Sequence, residues 1–596
     1  MNNLILAAPI LIPLTTAFLL PLIGRWAHRL VWLSCIVATL VTLGILASFI
    51  EAVSSGQVLV YWLGGWVPRD GLAIGISLSV DAWALLIALV VAIVGLMALI
   101  YSLVYMENQS GHIPYYVLLM LIQAALIGFC LSGDLFNQFV WLEVFSVAAF
   151  ALTGFHVERS DAVEAAFKYL ITNTVASFFI AIGLTLLYMQ TGALNIAQIA
   201  HEFHATSGGY VAIGLLIGGY ATKAALVPWH FWLPDAHSVA PSPVSALFSG
   251  ALIKVGIYAV ARSVFTLVPF QPGSIIQTGL LIVAALTMLV GGIQMLHQQS
   301  IKRVLAFSSV SQMGYIVLGV ALGTPAGLAA AAMYVINHAL LKTALFISAG
   351  IVSQRANIHD LSEGGNLARR MPVTFGCMAL AALGLSGMPF LSGFISKTML
   401  EEAVTSAGFG LLTVIVIVAS IFTFAGLARL VWSVFGSRPV HGTPTHVGEG
   451  HPLALLPVVL MVVGSILVGS FPAWTAEHFA WPASEALYNR DHYVNSVMGI
   501  NPTDLDIELI HEEVPPNPLD LQHWTVPLVV LIGGSLLAYG LLHPQEQIGK
   551  SFARPLSGVA GLIRSWHSGL VTDYALWNAF GTAVMLGALM LWQRLA

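Results

Sequence analysis

The sequence predicts an all-α, polytopic membrane protein with about 16 transmembrane helices. Three observations predict it: of 596 residues, 58% are hydrophobic, only 8% are charged, and the mean hydropathy is +0.88. Soluble domains carry roughly 25% charged residues, so a water-soluble fold has no place for this much apolar surface. Because lipid offers no hydrogen bonds, the spanning segments are expected to be helices, which satisfy their backbone internally.

Apolar stretches of about 20 residues mark the expected spans, and Pro, Gly and charge clusters separate them. The predicted spans are Leu4–Leu22, Leu30–Ile50, Val80–Leu103, Tyr115–Leu131, Leu135–Phe155, Ala165–Met189, Val211–Leu226, Val244–Arg262, Ile275–Leu296, Val304–Leu322, Leu328–Ile351, Val373–Leu400, Phe409–Phe435, Leu453–Gly469, Thr525–Leu542 and Tyr574–Trp592. The first span lacks a basic leader and a clear cleavage site, so we expect it to be retained.

The placement of lysine and arginine outside these spans orients the chain. One side, called the basic face below, receives Arg25, Arg29, Arg159, Lys302, Arg303, Arg355, Arg369, Arg370, Arg438, Lys550, Arg554 and Arg564. The other side, called the opposite face, receives only Arg69, Arg262, Arg490 and Arg594. Since basic loops stay in the cytoplasm, the pattern predicts a multi-pass protein of the cytoplasmic membrane with both termini outside.

Several functional classes find no support in the sequence. The net charge is -5 and no basic stripe suggests nucleic acid. Three unpaired cysteines, Cys35, Cys130 and Cys377, indicate neither a disulfide framework nor a metal site. His511, Glu512 and Glu513 in the polar segment after the fourteenth span lack metal-ligand spacing. No nucleotide, flavin or haem signature appears, so we expect no cofactor and no metal, and energy from an ion gradient or a partner subunit.

Ionisable residues in the middle of spans need a functional reason, because insertion costs at least ~2.5–3.5 kcal/mol for each charge. Glu143 stands alone in the middle of its apolar span. Lys223 precedes Pro228 and Pro234, which must break or kink the helix. A broken helix at membrane depth is tolerated where it is buried in protein or lines a water-filled cavity. Lys223 is therefore expected to face water or a carboxylate.

A second interrupted span repeats this pattern. Lys397 follows Gly387, Pro389 and Gly393, and Lys254 lies in the middle of an intervening span. Two broken spans with lysines in the two halves of a chain indicate a transporter with inverted repeats.

Another pair of ionisable residues shares one helix. His338 and Lys342 are four residues apart and therefore share one helix face. Histidine titrates near neutrality and can pass a proton in either direction.

We hypothesise that protons hop through these groups. An ion pair between Glu143 and Lys223 would hold the lysine charged, and a change in that pairing would release its proton. The alternative for each group is a hydrogen bond that only holds the bundle together. Three further basic residues near span ends, Lys168, Arg262 and Arg429, are expected to extend to the interface. Candidate supporting residues after the first break are His230, Asp235 and His237.

The quoted segments resemble a known family. GDLFNQFVWLEVFSVAAFAL, KAALVPWHFWLPDAHSVAPSPVSALFSGALIKVGIYAVAR, IKRVLAFSSVSQMGYIVLG, INHALLKTALF and LSGFISKTML are similar to the antiporter-like subunits of respiratory complex I. They resemble even more the D-type component of Mrp-type multisubunit cation/proton antiporters. The likeness covers about Val80 to Phe435. Ser249, where many complex I relatives and the Mrp A type carry histidine, favours the D type.

The resemblance implies an architecture and residue roles. It implies a 14-helix core with two inverted five-helix repeats that contain broken helices. The implied units are N-terminal helices in 1–110, repeats in 111–265 and 266–440, and a C-terminal extension in 441–596 with extra helices and an outer polar loop. Glu143 matches the family's ion-paired glutamate, Lys223 and Lys397 the lysines of the two broken helices, Lys254 the connecting lysine, and His338 the intervening histidine.

Two functions remain open at this point. The first is an ion-translocating subunit of a multisubunit Na+/proton antiporter, working with other membrane subunits, protons, monovalent cations and lipid. The alternative is a proton-pumping membrane subunit of a complex I-like or membrane-bound hydrogenase redox complex, in which case the chain would belong to an oxidoreductase without catalytic chemistry of its own. The extension after about His441 departs from the D-type core, and the last two spans are expected to be joined by a short basic loop.

Overall fold

A computed structural model describes residues 3–26, 28–69, 71–107, 109–436, 447–500, 514–566 and 568–595. The N-terminal part contains a 3-10 turn at Asn3–Leu6, then α1 (Ala8–Trp26), α2 (His28–Ala47), α3 (Ile50–Ser54), β1 (Leu59–Trp62), a 3-10 turn at Leu63–Gly65, β2 (Ser77–Val80) and α4 (Ala82–Tyr105). The two strands pair antiparallel, with Leu59 opposite Val80. Asp81 caps α4 by accepting a hydrogen bond from the backbone N–H of Ala84.

The next helices form a first group of five membrane crossings. They are α5 (His112–Leu131), α6 (Leu135–Thr153), α7 (Ser160–Thr191), the short α8 (Ile196–Glu202), a broken helix made of α9 (Ser207–Lys223) and α10 (Trp232–Val239), and a last span. That last span joins α11 (Ser242–Leu247), a π-helical turn at Phe248–Leu252, α12 (Ile253–Arg262) and a second π-helical turn at Ser263–Leu267.

A second group repeats this order. It contains α13 (Ile275–His297), α14 (Ile301–Leu322), α15 (Pro325–Ala356), a 3-10 turn at Leu361–Glu363, a broken helix made of α16 (Pro372–Leu385) and α17 (Ser392–Ser406), and α18 (Gly410–Phe435). The third helix has 32 residues in both groups, and the fourth is broken in both. Because five crossings bring the chain to the other side, the second group starts on the face opposite to the first, and the repeats are inverted.

The C-terminal extension adds helices around this core. It contains α19 (Pro452–Ser470), α20 (Pro472–Thr475), a π-helical turn at Ala476–Ala480, α21 (Trp481–Tyr488), α22 (Arg490–Met498), a 3-10 turn at Leu521–Trp524, α23 (Thr525–Leu542), α24 (Gln547–Trp566) and α25 (Val571–Leu595). His511, Glu512 and Glu513 lie outside the described residues.

The predicted number of spans is confirmed. Fourteen described helices are long and apolar enough to cross a membrane, and the two broken helices supply the other two crossings. One local prediction is wrong: the last two spans are joined by the 20-residue α24, not by a short loop. Apolar residues recur every three or four positions along α24, which makes one helix face apolar and lets it lie along the bundle.

Burial is greatest in the centre of the bundle. The span Ser242–Leu267 is wholly buried and α14 is buried from Val304 onward, whereas only about a third of α1, α2 and α23 is buried. The central helices are therefore shielded from lipid by protein. Every polar group on them must find a partner within the protein or in water.

Candidate ion-translocation site

The six predicted translocation residues lie on five helices that meet in the buried centre. Lys223, Lys254, His338, Lys342 and Lys397 are at most 4% exposed, and Glu143 is half-buried. A buried lysine ammonium must find polar partners, because burial removes it from water. The hydrogen-bond partners of these residues therefore indicate what they do.

Lys223 is the last residue of α9, at the first helix break. Proline at position 228 keeps the following segment out of the helix, and α10 resumes at Trp232. The indole of Trp232 donates a 2.8 Å hydrogen bond to the carbonyl of Thr222, which also accepts from the backbone N–H of Ala225 at 3.0 Å, so the end of the helix is capped. The break thus ends the helix where the ammonium group of Lys223 reaches the bundle centre.

The ammonium of Lys223 binds neutral oxygens. Its Nζ donates to Ser146 Oγ at 2.9 Å and to the Asn173 carbonyl at 3.4 Å. Glu143 lies one helical turn before Ser146 and interacts electrostatically with Lys223, but within the described residues the two form no direct ion pair. The expected direct pair is therefore absent from the described part of the chain, and Lys223 binds Ser146, whose hydroxyl donates to the Leu142 carbonyl. Glu143 Oε1 has no hydrogen-bond partner among the described residues.

Lys254 and His338 form the central contact of the site. Lys254 Nζ lies 2.8 Å from His338 Nδ1 and also donates to the Ser249 carbonyl at 2.6 Å. An ammonium group has only donors, so Nδ1 acts as the acceptor and the imidazole proton lies on Nε2. His338 Nε2 has no partner among the described residues. The two titratable groups can exchange a proton directly.

Lys342 lies one turn from His338 on the same face of α15, as predicted. Its Nζ donates to the Leu305 carbonyl of α14 at 2.9 Å. His237 stacks on Phe346 with 4.7 Å between ring centroids, and neither ring nitrogen has a partner among the described residues. His237 therefore lies in the same buried region, on the side of Lys342.

Lys397 lies one turn after the start of α17, beyond the second break. Its Nζ donates to Ser420 Oγ at 2.9 Å and lies 5.0 Å from the centre of the Tyr315 ring. Tyr315 also bonds Ser420, at 3.0 Å, and stacks on Tyr334. Tyr334 donates to Gln312 at 2.5 Å. A chain of hydroxyl and amide groups therefore surrounds the last lysine.

Contacts between the helices connect neighbouring parts of this row. The backbone of Lys223 and Ala224 lies against Gly256, close to Lys254 on α12, where no side chain would fit. At the other end, Ser392 donates to Asn337, the neighbour of His338, at 2.8 Å. Among the described residues no direct hydrogen bond joins Lys223 to Lys254 or Lys342 to Lys397.

Comparison with known proteins shows which family the chain resembles. Residues 132–423 match the family model described as "NADH:quinone oxidoreductase/Mrp antiporter, TM", and residues 66–116 match "NADH-Ubiquinone oxidoreductase (complex I), chain 5 N-terminus". The N-type component of the NADH-quinone oxidoreductase of Desulforudis audaxviator is 34% identical over 71% of this chain and 86% of that protein. The D-type component of the Na(+)/H(+) antiporter of Bacillus subtilis is 30% identical over 84% of this chain and 100% of that protein.

The chain belongs to this family of antiporter-like membrane subunits. A chain in the solved Mrp complex of a Dietzia species superposes with a TM-score of 0.76 at 28% identity, over 84% of this subunit and 100% of that chain. This subunit therefore has parts without a counterpart in that chain. Its C-terminal helices need an account of their own.

One supporting residue of this antiporter-like subunit, Asp235, collects several partners near the basic face. Its Oδ1 accepts from Arg303 at 2.9 Å, and its Oδ2 accepts from Tyr574 of α25 at 2.7 Å and lies 3.6 Å from Lys168. Glu164 pairs with Lys168 at 2.6 Å. The expectation that Lys168 extends to the interface is wrong, because two carboxylates hold its buried ammonium. His230 packs against Phe231 in the same segment.

The other two basic residues expected at the interface are also buried. Arg262 forms an ion pair with Asp81, and its guanidinium lies 5.4 Å from the Tyr258 ring and 4.7 Å from the Tyr493 ring. Arg429 donates to the carbonyls of Leu296 and Gln298 at 2.8 and 3.0 Å and so caps the end of α13. Both guanidinium groups are therefore held by acceptors inside the protein, and neither extends to the interface.

Sequence reasoning missed three residues of α25 that contact the first break. Asn578 donates to the Thr172 carbonyl at 3.1 Å, and its own carbonyl accepts from the Trp229 indole at 3.2 Å. Tyr574, Asn578 and Thr582 are spaced four apart, so they form one polar face on an otherwise apolar span. This four-residue spacing could have indicated from the sequence that the helix contacts a polar part of the core. Among the described residues, no group of three or more His, Cys, Asp or Glu side chains could hold a metal ion.

Proposed function

We propose that this chain is the ion-translocating subunit of a multisubunit monovalent cation (Na+)/proton antiporter. Protons move along Glu143, Lys223, Lys254, His338, Lys342 and Lys397, in the membrane centre. The chain itself carries no catalytic chemistry, and the energy for transport comes from an ion gradient. The partners are other membrane subunits, as in the solved Mrp complex that it resembles.

The observation that carries this proposal is that the four ammonium groups donate their hydrogen bonds to neutral partners. Lys223, Lys254, Lys342 and Lys397 donate to hydroxyl, carbonyl or imidazole groups, and within the described residues none forms an ion pair. A lysine locked to a carboxylate would stay charged, because losing the proton would leave a buried anion alone. A lysine held by neutral groups can lose and regain its proton.

Buried polar atoms mark where water would connect these groups. Glu143 Oε1, Asn173 Oδ1, His338 Nε2 and both nitrogens of His237 lack partners among the described residues. Nearly all buried polar atoms in proteins bond to a protein group or an ordered water. We propose that water occupies the gaps and carries protons between the lysines, with Asp235 and His230 near the uptake point on the basic face.

Orientation and domain organisation follow from the same proposal. The basic face lies in the cytoplasm, so both termini lie outside the cytoplasmic membrane. Residues 1–110 contribute the first helices, 111–265 and 266–440 the two transport repeats, and 441–596 the extension.

A second candidate function is a proton-pumping subunit of a redox-driven complex. The likeness to the N-type component of the NADH-quinone oxidoreductase, at 34% identity, favours it. The residues would keep the same roles, and electron transfer on a partner subunit would supply the energy. Purification of the intact complex separates the two: an antiporter would contain membrane subunits without metal clusters, whereas a redox pump would contain iron–sulfur clusters detectable by electron paramagnetic resonance.

The proposal is tested by transport in liposomes that contain the complete purified complex. An imposed Na+ gradient should drive proton movement, read with an internal pH-sensitive dye, and the movement should stop when the gradient is removed. Absence of Na+-dependent proton movement in a complex with all its subunits would reject the antiporter.

A further inference from the structure

A small cavity lies at the second helix break, and the proton path proposed above assigns it no role. Its lining includes Lys397 and Glu401 of α17, Ser420 of α18, and Val526 and Val530 of α23. Gly387 borders it with a φ of +89°, and a side chain there would meet Lys397. The break therefore leaves open space beside the last lysine of the row.

Glu401 lies one turn after Lys397 on the same face of α17, and the two groups interact electrostatically. Within the described residues they form no direct ion pair, and the Lys397 ammonium binds Ser420 instead. Both side chains face the same cavity. A proton that leaves Lys397 therefore has one carboxylate within reach, across a space that Ser420 borders.

Glu401 lies on the side of the cavity that is nearer to the opposite face. α16 begins after the basic Arg369 and Arg370, so α17 runs toward the opposite face and Glu401 lies beyond Lys397 in that direction. Glu402 pairs with His523 of the extension at 3.2 Å, and its side chain is 44% exposed. The chain of titratable groups thus continues from a buried lysine to an exposed carboxylate.

We propose that Glu401 is the release group of the proton path, and that α23 forms the wall of the exit between Lys397 and the opposite face. In this step an N–H bond of the Lys397 ammonium breaks and an O–H bond of the Glu401 carboxylic acid forms. The acid then gives its proton to water near Glu402 and His523. The proposal rests on the function proposed above, and it assigns the extension a role in release.

Two properties of the site support a release role over a structural one. A structural carboxylate would form a close ion pair with its neighbouring lysine, which these two do not. The α23 wall contributes apolar side chains, Val526 and Val530, so the carboxylate and the lysine are the charged groups that the cavity presents within the described residues. Apolar walls keep stray ions away from a proton path and leave the polar groups to carry it.

The test uses the complete complex in liposomes and proton movement driven by a Na+ gradient. Glu401→Gln keeps the shape and cannot carry a proton, so the rate should fall by about 100-fold or more, as when a proton-transfer group is lost. Glu401→Asp keeps the carboxyl group and should retain at least roughly a tenth of the rate. The matched control is Glu51→Gln, an exposed glutamate near the same face, which should transport normally.

A second pair of variants tests the wall independently of Glu401. Val530 is 1% exposed and borders the cavity, whereas Val529 is 51% exposed on the same helix. Val530→Trp should fill the exit and stop transport, and Val529→Trp should not. Assembly is checked for each by size-exclusion chromatography of the complex.

The outcomes separate the two proposals. Normal transport in an assembled Glu401→Gln complex, together with loss in Lys397→Ala, would overturn the release role and leave the proposed function standing. Normal transport in both Glu401→Gln and Lys397→Ala would overturn both. Loss in Glu401→Gln with retention in Glu401→Asp supports the release role.

Discussion

Each buried lysine needs a partner that accepts a hydrogen bond without fixing its charge. His338 is such a partner for Lys254, because one ring nitrogen accepts while the other carries the proton. The serine hydroxyls of Ser146 and Ser420 can likewise donate or accept at Lys223 and Lys397. The site is therefore a set of lysines whose partners can form a hydrogen bond with the charged amine and with the neutral amine.

His338→Leu should stop proton movement, because Lys254 loses the titratable neighbour to which it can pass a proton. His338→Gln still accepts a hydrogen bond yet cannot carry a proton, so it should also be slow while the complex assembles normally. We expect a fall of about 100-fold in both, measured as Na+-driven proton movement in liposomes. The exposed His201 provides the control, since His201→Leu should behave as wild type. A fast His338→Gln complex would show that His338 only positions Lys254.

Lys168→Met should slow transport, contrary to what a lysine at the interface would do. It would leave the buried carboxylate of Asp235 with one cation, Arg303, instead of two, while the exposed Glu164 would lose its partner at little cost. We expect a lower transport rate and a lower thermal unfolding midpoint of the complex. Unchanged values for both would mean that Arg303 and Tyr574 alone hold Asp235.

Helix breaks organise the site at the scale of elements. Each break ends a helix inside the bundle and has a lysine beside it, Lys223 at the first and Lys397 at the second. The extension contacts both breaks: α25 bonds the first through Asn578, and α23 borders the second. The helices of the extension thus contact both broken helices, the one with Lys223 and the one with Lys397.

Asn578→Leu should lower the rate of transport with little effect on assembly. It removes the hydrogen bond to the Thr172 carbonyl, next to the Asn173 carbonyl that binds Lys223. We expect a fall of about 10-fold, since one buried hydrogen bond contributes about 1 kcal/mol and an unpaired carbonyl adds to that cost. Phe580→Leu, on the lipid side of the same helix, is the control. Equal rates for the two variants would show that α25 only packs against the core.

Much of this architecture could be predicted from the sequence because its causes are local. The length of apolar runs sets the spans, Pro228 and Pro389 set the breaks, and four-residue spacing puts His338 and Lys342 on one face. Whether Lys223 binds Ser146 or Glu143 depends on how α6 is rotated against α9, and no local sequence pattern fixes that rotation. The partners of Lys168 and Arg262 depend on distant segments for the same reason, and α24 was missed because its apolar residues are spread around polar ones.

The whole molecule combines two repeats, a central contact and an extension in one ion-translocating subunit. Its four central lysines donate to neutral groups, and within the described residues the nearby Glu143 and Glu401 form no direct ion pair with them, while the ion pairs of Asp81–Arg262 and of the Asp235 cluster lie toward the two faces. Charge is therefore fixed at the ends and free to change in the middle. This separation would let the central lysines change their charge while the ion pairs near the faces keep theirs.

The most direct test of this account is the proton flux through the complete complex in liposomes with Lys223→Ala. Na+-driven proton movement should fall by at least about 100-fold while the complex assembles with all its subunits. Arg159→Gln, which loses an exposed ion pair at the basic face, should keep the wild-type rate. Wild-type proton movement in an assembled Lys223→Ala complex would contradict the account.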